Sequence, residues 1–332
     1  MASPENYTAR EDLVDGVGVL RLRDAARRTE VAIAPSIGNN AFEFAVDGRN
    51  YLWSPFALGK LGAKPVFFGN PLMAPWANRL DTHSFRANGR RYLLNRELGN
   101  YPLDDSGFPV HGLLVNSRAW KVSELAAGPE GAVATCRLEF WRHPDLMAQF
   151  PFAHTMAVTH RLKDGVLEVE TVLENHALEP MPVSLGYHPF FRLHDAPRES
   201  WKTHFPAAEE MPLSATYFPT GTMIPMGLPE PAPFSSLKSV YVLPRLHARA
   251  DGRAEFWVQG KAERITLVQG PKFPVSVIYA PAGEDYICFE PMTATINALN
   301  PPANGRADPV QSVASGGIWR ESFWIHHSAG NV

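Results

Sequence analysis

Apolar and polar residues alternate along this chain in short runs that stop at turn dipeptides. Val17-Gly18-Val19-Leu20-Arg21-Leu22 and Val31-Ala32-Ile33-Ala34 read as strands. Ala41-Phe42-Glu43-Phe44-Ala45-Val46 runs into Asp47-Gly48 and then into Tyr51-Leu52-Trp53. Asp-Gly supplies the positive φ values of a type I′ hairpin turn. The same signal recurs at Asn88-Gly89, Asp164-Gly165 and Asp251-Gly252, so a hairpin is expected at each. Residues 166–173 alternate partly in period two, as a half-buried strand does. Thr266-Leu267-Val268, Val275-Ser276-Val277-Ile278-Tyr279 and Tyr286-Ile287-Cys288-Phe289 continue the pattern. No stretch carries a convincing amphipathic helix longer than two turns. Antiparallel hairpins in this number predict an all-β fold, a large antiparallel sandwich or barrel.

Composition narrows this picture. With 332 residues, 45% of them hydrophobic, the chain can bury a large core. Thirty prolines and twenty-five glycines favour short elements broken by turns. The prolines of residues 218–234 look like a linker, but the strand pattern resumes afterwards with unchanged composition. An ordered surface loop over one large domain is expected there. A net charge of −3 without a basic run gives no reason to expect nucleic acid or an anionic membrane. Residues 1–10 lack an apolar signal segment, and no apolar run is long enough to span a bilayer. Two cysteines make no disulfide framework and fit a reducing compartment, so a cytoplasmic location is expected.

Four stretches carry candidate chemistry. In Val183-Ser184-Leu185-Gly186-Tyr187-His188-Pro189-Phe190-Phe191 the proline biases His188 towards extended backbone. Gly186 leaves room for close approach of a ligand or another backbone. Asn78-Arg79-Leu80 presents a planar fork of donors suited to hydroxyls or carboxylates. Val110-His111-Gly112 holds a second histidine. Each of these alone is more often a satisfied core histidine or a solvated arginine. Glu290 is less bland: it ends the apolar strand Tyr286-Ile287-Cys288-Phe289, where a carboxylate is costly unless paired or functional.

Taken in order, Asn78-Arg79-Leu80, His111-Gly112, Gly186-Tyr187-His188-Pro189-Phe190-Phe191 and Glu290-Pro291 resemble the motifs of the aldose 1-epimerases, the galactose mutarotase family. The text between them resembles the family as well, at Phe150-Pro151-Phe152, Leu167-Glu168-Val169, Glu174-Asn175 and Pro180-Met181-Pro182. The resemblance spans residues 17–325. It implies a single domain over residues 1–332 with a supersandwich, galactose mutarotase-like fold. It also implies Glu290 as catalytic base, His188 as catalytic acid and His111 as a second active-site histidine. Asn78 and Arg79 match sugar contacts, with Tyr187 placed beside them as a substrate-binding residue. The implied partner is a small free sugar, the implied cofactor none. Mutarotation fits these residue types. One group removes the anomeric hydroxyl proton, another protonates the ring oxygen, and the opened aldehyde rotates before the ring recloses. A carboxylate near an arginine is expected to stay ionised while an imidazole donates.

Two departures bear on the substrate. The family usually has a sugar-binding aspartate near residues 237–243, which here read Leu237-Lys238-Ser239-Val240-Tyr241-Val242-Leu243. Galactose-type members tend to have a glutamine near residues 274–279, and none is present. Plain galactose is therefore not expected to be the best substrate, and an anionic sugar could gain from Lys238 if its ammonium points inward. A non-catalytic sugar-binding relative is the alternative reading. A metal is not expected. Twelve histidines invite one, with His154 and His160 or His326-His327 as conceivable ligands, but no metal-binding spacing occurs.

Overall fold

A computed structural model describes residues 6–55, 57–60, 67–301 and 310–329. The turn dipeptides act locally as their chemistry dictates. Asp47-Gly48, Asn88-Gly89 and Asp164-Gly165 all have positive φ at both positions and join antiparallel neighbours. Asp15-Gly16 does the same between Tyr7–Val14 and Val17–Asp24. Asp251-Gly252 departs from expectation. Only Gly252 has positive φ, and the turn leads into Ala254–Gln259 without pairing it to the preceding strand, Val240–Leu243.

The strands form a nearly all-β structure of large antiparallel sheets. The first five strands, Tyr7–Val14 to Arg49–Asn50, make a meander. A nine-stranded sheet runs from Ala232–Pro233 at one edge to Lys121–Gly128 at the other. Near its centre Val166–Asn175 alternates in burial, with Leu167, Val169, Thr171 and Leu173 inward. It pairs with His154–Lys163 on one side and Ile318–Ala329 on the other. The main apolar cluster draws on residues from Tyr7 to Ile325. Each large side chain buried there contributes about 1.5–3 kcal/mol.

Helix is scarce among the described residues. The single α-helix is Pro144–Gln149, with proline in its first turn, where its missing N–H costs nothing. The proline-rich stretch is ordered. Ile224–Pro225 pairs with Glu209–Glu210, and Ala232–Pro233 supplies the edge strand of the nine-stranded sheet. A proline at a sheet edge faces its missing donor away from the ladder.

A six-stranded sheet positions the candidate site. Its order is Val240–Leu243, Val275–Tyr279, Ile287–Met292, Gly186–Tyr187 and Leu72–Met73, with Phe190–Phe191 also on Ile287–Met292. Because successive side chains alternate, Ile287 and Phe289 enter the main core. Cys288, Glu290 and Met292 project from the other face.

Candidate active site

His188 and Glu290 meet on that second face. His188 Nε2 lies 3.2 Å from Glu290 Oε1. Both are buried, at 6% and 1% of full exposure. The backbone N–H of His188 donates to the Pro71 carbonyl at 3.0 Å, which fixes the start of the His-Pro turn. Its ring stacks on Phe190, with centroids 4.5 Å apart. Gly186 has the role its sequence position suggests, though the close neighbour is protein. A Cβ there would come within 2.8 Å of both the Pro291 carbonyl and Met292.

His111 stands across from His188, with ring centroids 5.5 Å apart and nearly perpendicular. Its other neighbour is Phe67, edge-on at 4.8 Å. Residues 78–80 and 109–111 hold each other in place. The His111 N–H donates to Asn78 O at 2.8 Å and the Leu80 N–H to Pro109 O at 2.9 Å. Asn78 and His111 both sit in the left-handed region, with φ of 54° and 60°, an uncommon conformation for non-glycine residues that concentrates at functional sites. Gly112 lets the same loop close against Ala74, since a Cβ there would lie 2.2 Å from the Ala74 carbonyl oxygen.

Arg79 is committed elsewhere than to Glu290. Its Nε donates to Asp104 Oδ2 at 2.7 Å, and Nη1 donates to Asn78 Oδ1 at 3.2 Å. The guanidinium carbon lies 4.9 Å from the centroid of the Tyr217 ring. Burial works against the Asp104 carboxylate, yet the Arg79 hydrogen bond and the Phe108 and Ser106 amides hold its pKa below the usual range. Asp104 was not apparent in the sequence. Its only signal is the turn Asp104-Asp105-Ser106-Gly107, which marks a loop and not a partner.

The protonation expected from the sequence does not match these surroundings. Burial pushes Glu290 well above the ordinary carboxylate pKa, and Arg79 pulls it back only in part. Burial pushes His188 down to about 3, with Arg79 adding to the shift. His111 is also held well below its usual value by burial, by His188 and by Arg79. Desolvation disfavours whichever form is charged, so burial favours the neutral carboxyl and neutral imidazole of the touching pair over its ion pair. Glu290 Oε2, His188 Nδ1 and His111 Nδ1 have no hydrogen-bond partner among the described residues. Those three atoms are both buried and, among those residues, unpartnered.

Thus Glu290, His188 and His111 come together, with Arg79 and Asn78 joined to them through residues 109–111. Tyr187 does not join them. Strand alternation turns it to the opposite face, where its hydroxyl is 2.6 Å from Thr171 Oγ1 and its ring packs on Phe323. It is a core residue, so its placement among the sugar contacts is corrected. Lys238 does not point a free ammonium inward either. It pairs with Glu210 and lies over the Tyr241 ring. The histidines considered as metal ligands lie elsewhere. His154 and His160 are inward-facing core groups of one strand. His326 and His327 line a cavity of about 250 Å³ beside Asp164 and Gly165, to which none of the clustered residues contributes.

The family model described as aldose 1-epimerase matches residues 23–326. Among solved structures, a galactose mutarotase-like protein from Clostridium acetobutylicum superposes with a TM-score of 0.84 at 18% identity, covering 98% of this chain and 100% of that one. The GalM/aldose epimerase homologue from C. elegans gives 0.71 at 15% identity, over 92% and 97% of the two chains. Galactose 1-epimerase from Lactobacillus acidophilus NCFM gives 0.70 at 14% identity, over 98% and 99%. At these identities the likeness is one of fold. Among the described residues no helix is long and apolar enough to cross a membrane.

Proposed function

The chain belongs to the aldose 1-epimerase family, and from that premise we propose that it interconverts the α and β anomers of a free aldose, acting throughout as one domain. The observation that carries this reading is the direct contact of Glu290 with His188 in a buried site. The two oxygens that must exchange protons, the anomeric hydroxyl and the ring oxygen, are bonded to the same carbon. An acid and a base in contact can therefore reach both at once.

The chemistry balances with a single shared proton. When it sits on His188, Glu290 takes the anomeric proton while His188 protonates the ring oxygen. The C1–O5 bond breaks and the aldehyde forms. The proton has then moved, leaving a neutral carboxyl and a neutral imidazole. After rotation about C1–C2, the carboxyl protonates the aldehyde oxygen, the ring hydroxyl attacks, and His188 takes its proton. Each full turnover passes through both states of the pair. Either can be the resting state, and burial favours the neutral one in the empty site. His111 and Arg79 supply donors for the sugar oxygens, and Asn78 orients Arg79.

A sugar-binding protein without catalysis has no need of a buried carboxyl held against an imidazole, an arrangement that costs stability. The reaction is tested by polarimetry, corrected for the spontaneous rate, over a panel of aldoses. Glu290→Gln and His188→Asn should each lower kcat by about 10² to 10⁴. The double variant should lose much less than the product, because both groups serve one proton transfer. Near wild-type turnover in Glu290→Gln would remove the pair from the mechanism.

A further inference from the structure

We propose that the aldose taken by this site is deoxygenated along the edge that faces Val242 and Val277, a specificity that rests on the epimerase reading. Val242 stands directly opposite Val277, and Val277 directly opposite Glu290, on successive strands. Opposed residues project from the same face. The row leading away from the Glu290 carboxyl is therefore two buried valines. The next row on this face is Val275 opposite Met292, also buried. Met211, Leu213 and Phe218 pack against the same cluster. None of these side chains carries a strong hydrogen-bonding group; the wall is bounded on its other side by the row Val240, Tyr279 and Cys288, whose Tyr279 ring lies edge-on to His188.

The other side of the carboxyl is different in kind. There Glu290 meets His188, and beyond it stand His111, Asn78 and Arg79. A sugar with its anomeric carbon at the pair is offered hydrogen bonds on one side and aliphatic surface on the other. A ring hydroxyl laid along the valines would give up water without gaining a partner. A hydrogen or a methyl group in that place is favoured by burial. Apolar surface of this kind discriminates against an added hydroxyl by on the order of 10- to 100-fold.

The experiment compares glucose and galactose with their 2-, 3-, 4- and 6-deoxy derivatives on the wild-type protein. Anomer exchange is followed by NMR and binding by calorimetry. At least one deoxy sugar should exceed its parent by about 10-fold or more, both in kcat/KM and in affinity. Val277→Gln, or Val242→Asn as a second variant, should narrow that ratio by giving the hydroxyl a partner. Parents that equal or exceed all their derivatives in both measurements would overturn the proposal. Deoxy preference in binding without any exchange would sustain it and overturn the epimerase reading instead, so the two failures are distinguishable. The wild-type panel decides even where a variant does not fold.

Discussion

Acid should unfold this protein before it disables the chemistry. His154 and His160 are both buried on the inward face of one strand. Burial lowers each to about 4, with the Phe152 carbonyl drawing His154 partly back. Well above the unfolded value of about 6.5 these groups are neutral in both folded and unfolded chains and contribute no pH dependence. As pH falls below that value, the unfolded chain takes up protons that the folded chain refuses until about 4. Stability is therefore lost on acidification. Between about pH 7 and about pH 5 the loss is roughly 2 kcal/mol for each of these two histidines. His188 and His111 add losses of the same sign. Glu290 opposes them. Its raised folded pKa makes the fold bind a proton over a range in which the unfolded carboxyl is ionised, so acidification returns stability from that one group. Four histidines against one carboxyl leave a net loss that is a large fraction of a domain's usual 5–15 kcal/mol. Urea denaturation followed by tryptophan fluorescence across this range should show the midpoint falling with pH. His160→Leu should flatten that slope by up to about one proton, whatever its effect at pH 7. A midpoint constant between pH 7 and pH 5, or an unchanged slope in His160→Leu, would refute the reasoning.

Two further substitutions probe the site's surroundings. Asp104→Asn leaves Arg79 without its counter-charge beside a pair that must retain one proton. The alkaline limb of the kcat profile should move to lower pH while the fold persists, as followed by polarimetry against pH. Tyr187→Phe removes a buried hydroxyl bonded to Thr171, so it should cost about 1 kcal/mol in urea denaturation and leave KM unchanged. A raised KM would return Tyr187 to the sugar contacts.

What could be read from the sequence was local. Asn-Gly and Asp-Gly fix positive φ by their own chemistry, so Asp47-Gly48, Asn88-Gly89 and Asp164-Gly165 could be placed without knowing the fold. Asp251-Gly252 shows the limit, because a turn dipeptide does not determine which strands pair. The adjacency of Lys202–His204 with Ala254–Gln259 depends on contacts across half a hundred residues and leaves no periodic trace. In the site, Glu290 was legible because a carboxylate ends an apolar strand. Tyr187 was misplaced by its nearness to His188 in sequence. Period-two alternation already argued against it, since if His188 faces the site its neighbour faces away. The expectation of an ionised Glu290 rested on its nearness to Arg79. Burial acts the other way and is the larger influence, with Arg79 pulling back only in part.

The same burial sets both the acid lability and the chemistry. An exposed carboxylate and imidazole would titrate near their ordinary values and hold one shared proton only between them, as an ion pair. Burial drives Glu290 up and His188 down, which favours the neutral form of the one-proton state. Separating charge within such a pair is costly in an apolar surround, and mutarotation requires that separation once per cycle. Under the proposed reaction a bound sugar must therefore supply what burial removed. Its hydroxyls can donate to Glu290 Oε2 and accept from His188 Nδ1 or His111 Nδ1, the atoms that lack partners among the described residues. These interactions favour the charged form of the pair only when substrate is present. Arg79 cannot do this alone, because its field stabilises an ionised Glu290 but opposes a protonated His188. Arg79 is itself engaged by Asp104, and the balance of the pair is left to the sugar.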